Sequence, residues 1–142
     1  VERAGSCWNR QGVCAGDAQT SAASRADYAE AAAAVLASAD AHAGRTYELA
    51  GPSFTMTEYA AELSRLSGTQ VDYVDLPEDT YRSALLDAGL REPVAAMLAQ
   101  SDAAARGGAL EGPTDDLEGL IGRPATPMPD VVAEALVARA DG

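Results

Sequence analysis

Residues 55–68 read TMTEYAAELSRLSG, and this stretch decides what kind of fold the chain can have. Thr55 followed three residues later by Glu58 is a capping box, in which each side chain satisfies a backbone donor at the start of a helix. Met56, Tyr59, Ala60, Leu63 and Leu66 then recur at the 3.6-residue period of one helical face. Gly68 stands where a left-handed residue closes a helix. The stretch is therefore a helix with both ends marked.

Working outward, the segment before it, Arg45–Ala50 (RTYELA), is a short strand candidate closed by Gly51-Pro52. Further back, Ser24-Arg25-Ala26-Asp27 has the form of a second capping box, with Asp27 in place of Glu. Tyr28, Ala31, Ala32, Val35 and Leu36 follow it at helical spacing, and the helix fades near Ser38. Residues 1–22 show no period and read as an irregular segment, with a short extended piece at Gly12–Ala15. Beyond Gly68, Gln70–Leu76 alternates enough for a second strand, ended by Pro77. Four helices follow. Asp79–Ala88 stops at Gly89. Glu92–Arg106 has Pro93 in its first turn, presents Val94, Met97 and Leu98, and stops at Gly107-Gly108. Thr114–Ile121 is capped by Thr114 and closed by Gly122. Asp130–Arg139 comes after a Pro-rich loop. The pattern is α/β and helix-rich, with two or three short strands. Two strands do not make a stable sheet by themselves. They imply further strands from elsewhere, and exposed strand edges through which the chain would self-associate.

Composition narrows the function. The 142 residues carry a formal charge of -12. A surface of that sign repels a phosphate backbone and an anionic membrane, which argues against nucleic-acid or membrane partners. All ten basic residues are Arg, so a lysine Schiff base or a Tyr–Lys pair is excluded within this chain. Cys7 and Cys14 lack metal-ligand spacing, and His42 is the single histidine, so no metal site is expected; the thiols read as free, with a disulfide between them as the alternative. No apolar run is long enough for a signal peptide or a spanning helix, and the expectation is a cytoplasmic protein.

Several segments together resemble a known family. Ser24-Arg25-Ala26-Asp27-Tyr28-Ala29-Glu30-Ala31-Ala32 is similar to the helix start found past the mid-point of NmrA-like atypical short-chain dehydrogenases. Tyr47-Glu48-Leu49-Ala50-Gly51 is similar to the strand that follows there, and Thr55–Gly68 to the next helix. Leu120-Ile121-Gly122-Arg123-Pro124 with Thr126-Pro127 resembles the family's C-terminal signature. The branch with the closest residues is the bacterial NAD(P)H:quinone oxidoreductases. The resemblance covers roughly residues 12–140, and residues 1–11 do not share it. It implies a Rossmann-type fold of which residues 23–142 form the helix-rich, C-terminal, substrate-side region. It also implies hydride transfer from NAD(P)H to a quinone. The family holds its nucleotide on a glycine-rich turn between a strand and a helix. Gly12, Gly16 and Gly107-Gly108 are not in that context, so the nucleotide-binding half is expected to be absent and the chain alone to be inactive. The alternatives are a non-catalytic NmrA-like binding or regulatory module, or a truncated product.

Under this resemblance Arg25 and Tyr28 are the residues placed nearest the wall of an apolar substrate pocket, with Arg25 pairing a quinone oxygen or a cofactor phosphate. Against this stands a purely structural reading: Asp27 caps its helix, Tyr28 packs, and Arg25 forms a surface or inter-segment ion pair. Tyr47, Tyr59, Tyr73 and Tyr81 could stack on a quinone, but their spacing suits core packing better. His42 reads as a solvated loop residue. Asp115, Asp116 and Glu118, like Glu78 and Asp79, read as helix-start carboxylates that complement the dipole rather than as an acid and a base.

Overall fold

The helix that opens at Thr55 forms as its end signals require. Thr55 Oγ1 accepts the Glu58 amide at 3.1 Å, and Glu58 Oε2 accepts the Thr55 amide at 2.8 Å, so both halves of the box are made. Gly68 closes the helix with φ +67°, the left-handed conformation in which a Cβ is costly. The structure, a computed structural model, describes residues 12, 13 and 15–140. In chain order the elements are β1 (Gly12–Val13), α1 (Arg25–Ala37), α2 (Ala39–His42), α3 (Met56–Ser67), β2 (Val74–Asp75), α4 (Glu78–Asp87), α5 (Glu92–Arg106), α6 (Asp115–Ile121) and α7 (Met128–Ala140). Cys7 and Cys14 lie outside the described residues.

Among the described residues the chain is thus helix-rich, with two strands of two residues each. They pair in parallel, Gly12 opposite Val74 and Val13 opposite Asp75. The expected strand at Arg45–Ala50 forms no regular element and joins no ladder. The Glu48 amide goes instead to the Asp116 carboxylate at 2.9 Å, and the amide of Gly51, just after the segment, to the Ser21 carbonyl at 3.2 Å. Of Gln70–Leu76 only Val74–Asp75 is strand. His42, expected in a loop, ends the short helix α2.

Two compact units divide the chain. The first holds β1, β2, α3, α4 and α5. Ser64 staples α3 to the segment after it: its hydroxyl accepts the Val71 amide at 2.8 Å, and it lies 3.0 Å from the Val71 carbonyl. α4 and α5 form a helical hairpin. The inward face of α5 is Ala95, Ala99 and Ala105, all at most 2% exposed. That face differs from the expected Val94, Met97 and Leu98, since Met97 is 56% exposed. Small side chains let two helix backbones approach closely, and the larger ones then fall on the flanks.

The second unit comprises Ser21–Phe54 and the described residues from Leu110 on. α1 packs on α6, and the buried cluster is Ala31, Leu117 and Ala125, flanked by Ala23, Leu49, Leu120 and Ile121. On α1 the buried residues are Asp27 and Ala31, one turn apart, whereas the expected Leu36 is 78% exposed. Thr114 precedes α6 but makes no side-chain cap bond, in contrast to its expected role. α7 begins two residues before the expected Asp130.

Ser21 ties three segments of this unit. Its amide donates to the Leu110 carbonyl at 2.8 Å, its carbonyl accepts the Gly51 amide, and its Oγ accepts the Gly112 amide at 3.1 Å and meets Ser53 Oγ at 2.9 Å. Gly51 is required here: a Cβ would run into the Ala22 carbonyl, whose carbon would lie at 2.8 Å. Gly51→Ala is therefore expected to destabilise the protein by about 2–3 kcal/mol. Gly119→Ala, in α6 with nothing within 4 Å of its Cβ position, is expected to stabilise by about 0.5–1 kcal/mol. Urea denaturation followed by circular dichroism checks both, and equal effects would contradict the Ser21 knot.

Candidate functional site

The residues singled out in the sequence around the start of α1 converge on one buried group. Asp27 is fully buried, and with Leu117 it is the largest side chain so enclosed. Its Oδ2 accepts the Thr126 amide at 2.8 Å. Its Oδ1 accepts the Thr126 hydroxyl at 3.0 Å and an Arg123 guanidinium N–H at 2.7 Å. The same Arg123 nitrogen reaches Glu30 at 2.6 Å. Ser24 Oγ accepts the Asp27 amide at 3.0 Å and so caps α1. The expected reciprocal box is not formed, because the Asp27 carboxylate turns inward to the loop after α6 instead of back to the Ser24 amide. Burial by itself pushes the Asp27 pKa up. The hydrogen bonds from the Thr126 amide, Arg123, the Thr126 hydroxyl and Ser24 together outweigh it and hold the carboxyl below the ordinary aspartate range. Arg123, Thr126 and Glu30 went unrecognised as a cluster in the sequence. Their only signal was that they lie within segments carrying the family resemblance.

Arg25 and Tyr28 flank this carboxylate on the same turn. Arg25 is exposed, and among the described residues its side chain makes no ion pair or hydrogen bond, so the expected surface ion pair is not formed. Tyr28 is half-buried, and its phenol oxygen accepts the Ala23 amide at 3.1 Å. The structure thus places both at the head of α1, one cationic and outward, one aromatic and folded against the chain that enters the helix.

The other candidates serve mainly to tie segments together. His42 is half-buried and has a partner: Nδ1 lies 2.6 Å from the Tyr47 hydroxyl, with the rings edge to face and the Arg45 guanidinium over the Tyr47 ring. Asp116 holds the Glu48 amide, and Glu118 accepts the Ala125 amide at 3.3 Å. In the first unit the Tyr73 hydroxyl donates to the Gly16 carbonyl at 2.8 Å, the Asp75 carboxylate accepts the Gly16 amide at 3.1 Å, and Arg106 pairs with Asp75 at 2.6 Å. Burial and the nearby Asp75 carboxylate both push the Tyr73 phenol up. A cavity of about 500 Å³ lies beside this knot, lined by Asp75, Pro77, Glu78, Ala103 and Arg106. Tyr59 is 39% exposed, so it packs less than its spacing suggests.

Among the described residues, no group of three or more His, Cys, Asp or Glu side chains is placed to hold a metal ion, and no helix is long and apolar enough to cross a membrane. A dinucleotide cradle needs open glycine amides between a strand and a helix N-terminus. Gly16, among the described residues the one glycine with positive φ that closely follows a strand, does not fit that need. Its amide is bonded to Asp75, and the Arg106 guanidinium fills the space where a side chain would stand. Gly68, Gly89, Gly108 and Gly122 follow helix ends.

No protein-family model matches the chain. Over 120 residues, 84% of its length, it is 46% identical to quinone oxidoreductase 2 of Escherichia coli, of which it spans 42%. It is 37% identical over the same share to the (4-alkanoyl-5-oxo-2,5-dihydrofuran-3-yl)methyl phosphate reductase of Streptomyces griseus. Among solved structures, the NADPH-dependent quinone oxidoreductase of Escherichia coli complexed with NADPH superposes with a TM-score of 0.79 at 40% identity, covering 89% of this chain and 45% of that one. The Citrobacter triphenylmethane reductase complexed with NADP(H) gives 0.81 at 31% identity, covering 89% and 44%. The chain spans under half the length of each of these proteins.

The Asp27 cluster sets a pH dependence. A carboxyl whose pKa is lower folded than unfolded adds stability above its unfolded value, near pH 4, and loses it as the pH falls through the folded value. Asp27→Ala is expected to cost about 2–4 kcal/mol near pH 7, and Glu30→Gln under about 1 kcal/mol, since that pair is exposed. Denaturation midpoints from pH 7 to pH 2.5 check this: the wild-type and Asp27→Ala curves should converge at the acid end.

Proposed function

Because the chain belongs to the NmrA-like reductase family, we propose that it is the C-terminal, substrate-side portion of an NAD(P)H-dependent quinone oxidoreductase. The observation that carries this reading is the head of α1, where Arg25 stands outward beside Tyr28 on a turn anchored from below by Asp27. A guanidinium is a strong donor to a carbonyl oxygen that gains negative charge on reduction. A phenol ring at its side offers a flat apolar surface to a flat substrate. The similarity to quinone oxidoreductase 2 supports a quinone as that substrate.

The nucleotide would be held by residues other than those described, since among the described residues the glycines of positive φ follow helix ends or, at Gly16, sit in the Asp75–Arg106 knot. This chain would bind and orient the quinone and would not turn it over alone. The two-residue parallel pair leaves both Val74 and Asp75 exposed. Parallel strands are ordinarily covered, which favours association through this edge, with a second copy or with a nucleotide-binding half.

Calorimetric titration of the purified chain with duroquinone, and separately with NADPH, tests the reading. Duroquinone has no open ring position for addition of the Cys7 or Cys14 thiol. The expected result is quinone binding weakened roughly tenfold by Arg25→Ala, the loss of one charge-assisted bond, and no NADPH binding. NADPH binding by the chain alone would contradict the assignment of a substrate side only. Absence of quinone binding by the folded chain would favour a non-catalytic module.

A further inference from the structure

α1 reads RADYAEAAAAVLA, and its apolar residues do not choose a face. Ala31–Ala34 run through more than a full turn, so every side of the helix carries alanine. Nothing in hydrophobic burial alone fixes the rotation of α1 about its own axis. What singles out one side is Asp27, drawn inward by three donors of the Arg123–Thr126 loop and directly in line with the buried Ala31 one turn on. At 100° per residue Arg25 projects some 160° from Asp27, with Tyr28 on the flank between. The direction in which Arg25 leaves the helix therefore follows from where Asp27 is bound.

We propose that Asp27 is a positioning residue for substrate binding: its buried carboxylate sets the rotation of α1 and thereby aims Arg25 at the quinone. The proposal rests on the reading of Arg25 as part of the substrate wall. It assigns the Arg123–Thr126 loop a part in affinity although no residue of that loop need touch the substrate. A buried polar group that selects one packing among several of similar apolar energy is a known use of such groups, and here the packings differ in where a cation points.

The test is a double-substitution cycle on the full chain, with duroquinone affinity measured by calorimetry and folding checked by circular dichroism and thermal melting. Asp27→Asn keeps the side-chain size and one acceptor oxygen while removing the charge. If Asp27 acts through Arg25, Asp27→Asn and Arg25→Ala each weaken binding by roughly tenfold. The double variant is then no weaker than Arg25→Ala alone, because the aim of an absent cation has no consequence. Thr126→Val, which removes a single donor, should weaken binding a few-fold and again have no effect once Arg25 is gone. It serves as the probe if Asp27→Asn fails to fold. Full additivity of the losses would overturn the proposal and leave Asp27 a stabilising group only. An Arg25→Ala variant that binds duroquinone normally would instead overturn the underlying reading of Arg25, a separable outcome.

Discussion

The second unit depends on a charge that has been taken out of water. Removing a carboxylate from solvent costs several kcal/mol unless it is fully hydrogen-bonded, and Asp27 is met by a backbone amide, a hydroxyl and a guanidinium from one loop, with Ser24 beside it. The arrangement joins the first turn of α1 to the stretch between α6 and α7, nearly a hundred positions later. It is asymmetric in exposure, because Arg123 reaches in from a half-exposed position while Asp27 is sealed. Salt should therefore weaken the outer contact to Glu30 more than the inner one.

Why the unit needs such a device follows from its core. The buried apolar residues of the whole described chain are alanines apart from Leu117 and Val132. Each alanine removes little area from water, so burial contributes modestly and, more importantly, discriminates poorly between neighbouring registers. Where side chains are small, backbone geometry and polar contacts carry the specification instead. The Ser21 knot does this at Gly51 and Gly112, where carbonyl and amide come too close for any Cβ at Gly51. Ser64 does it for α3 and the segment that follows.

This also explains which parts of the fold could be read from the sequence. Helix ends were legible, because a cap is a local event: Thr55 with Glu58, Ser24, Gly68 and Gly122 each act within four residues. Helix faces were less so, since alanine marks no side. The apolar residues of α1 and α5 suggested stripes through Leu36 and Met97 that the structure leaves exposed. Strands were the hardest. Arg45–Ala50 has the residues of a strand, yet pairing is a property of the neighbour, and the Glu48 amide in it is met by Asp116 rather than by a ladder. Arg25 and Tyr28 enter the candidate site through family resemblance alone. Arg123 and Thr126 were not connected to Asp27, because no local rule links residues so far apart.

The acidic surplus takes on a different meaning in this light. A net charge of -12 reads from composition as a surface property that excludes anionic partners. Among the described residues, five carboxylates are instead acceptors for backbone amides: Asp27 for Thr126, Glu58 for Thr55, Asp75 for Gly16, Asp116 for Glu48 and Glu118 for Ala125. Four of those donors lie outside the helices and strands, and the fifth is the N-cap of α3. Backbone donors must be satisfied when they leave water, and a chain with only two short strands among its described residues has few carbonyl ladders to offer. Carboxylates take that role, and they bind an amide more strongly than a neutral carbonyl does. Part of the negative charge is thereby a structural material rather than a signal about partners. Arg25, the cation that remains outward at the head of α1, is the opposite case: in a chain this rich in acceptors, it is held by none of them among the described residues.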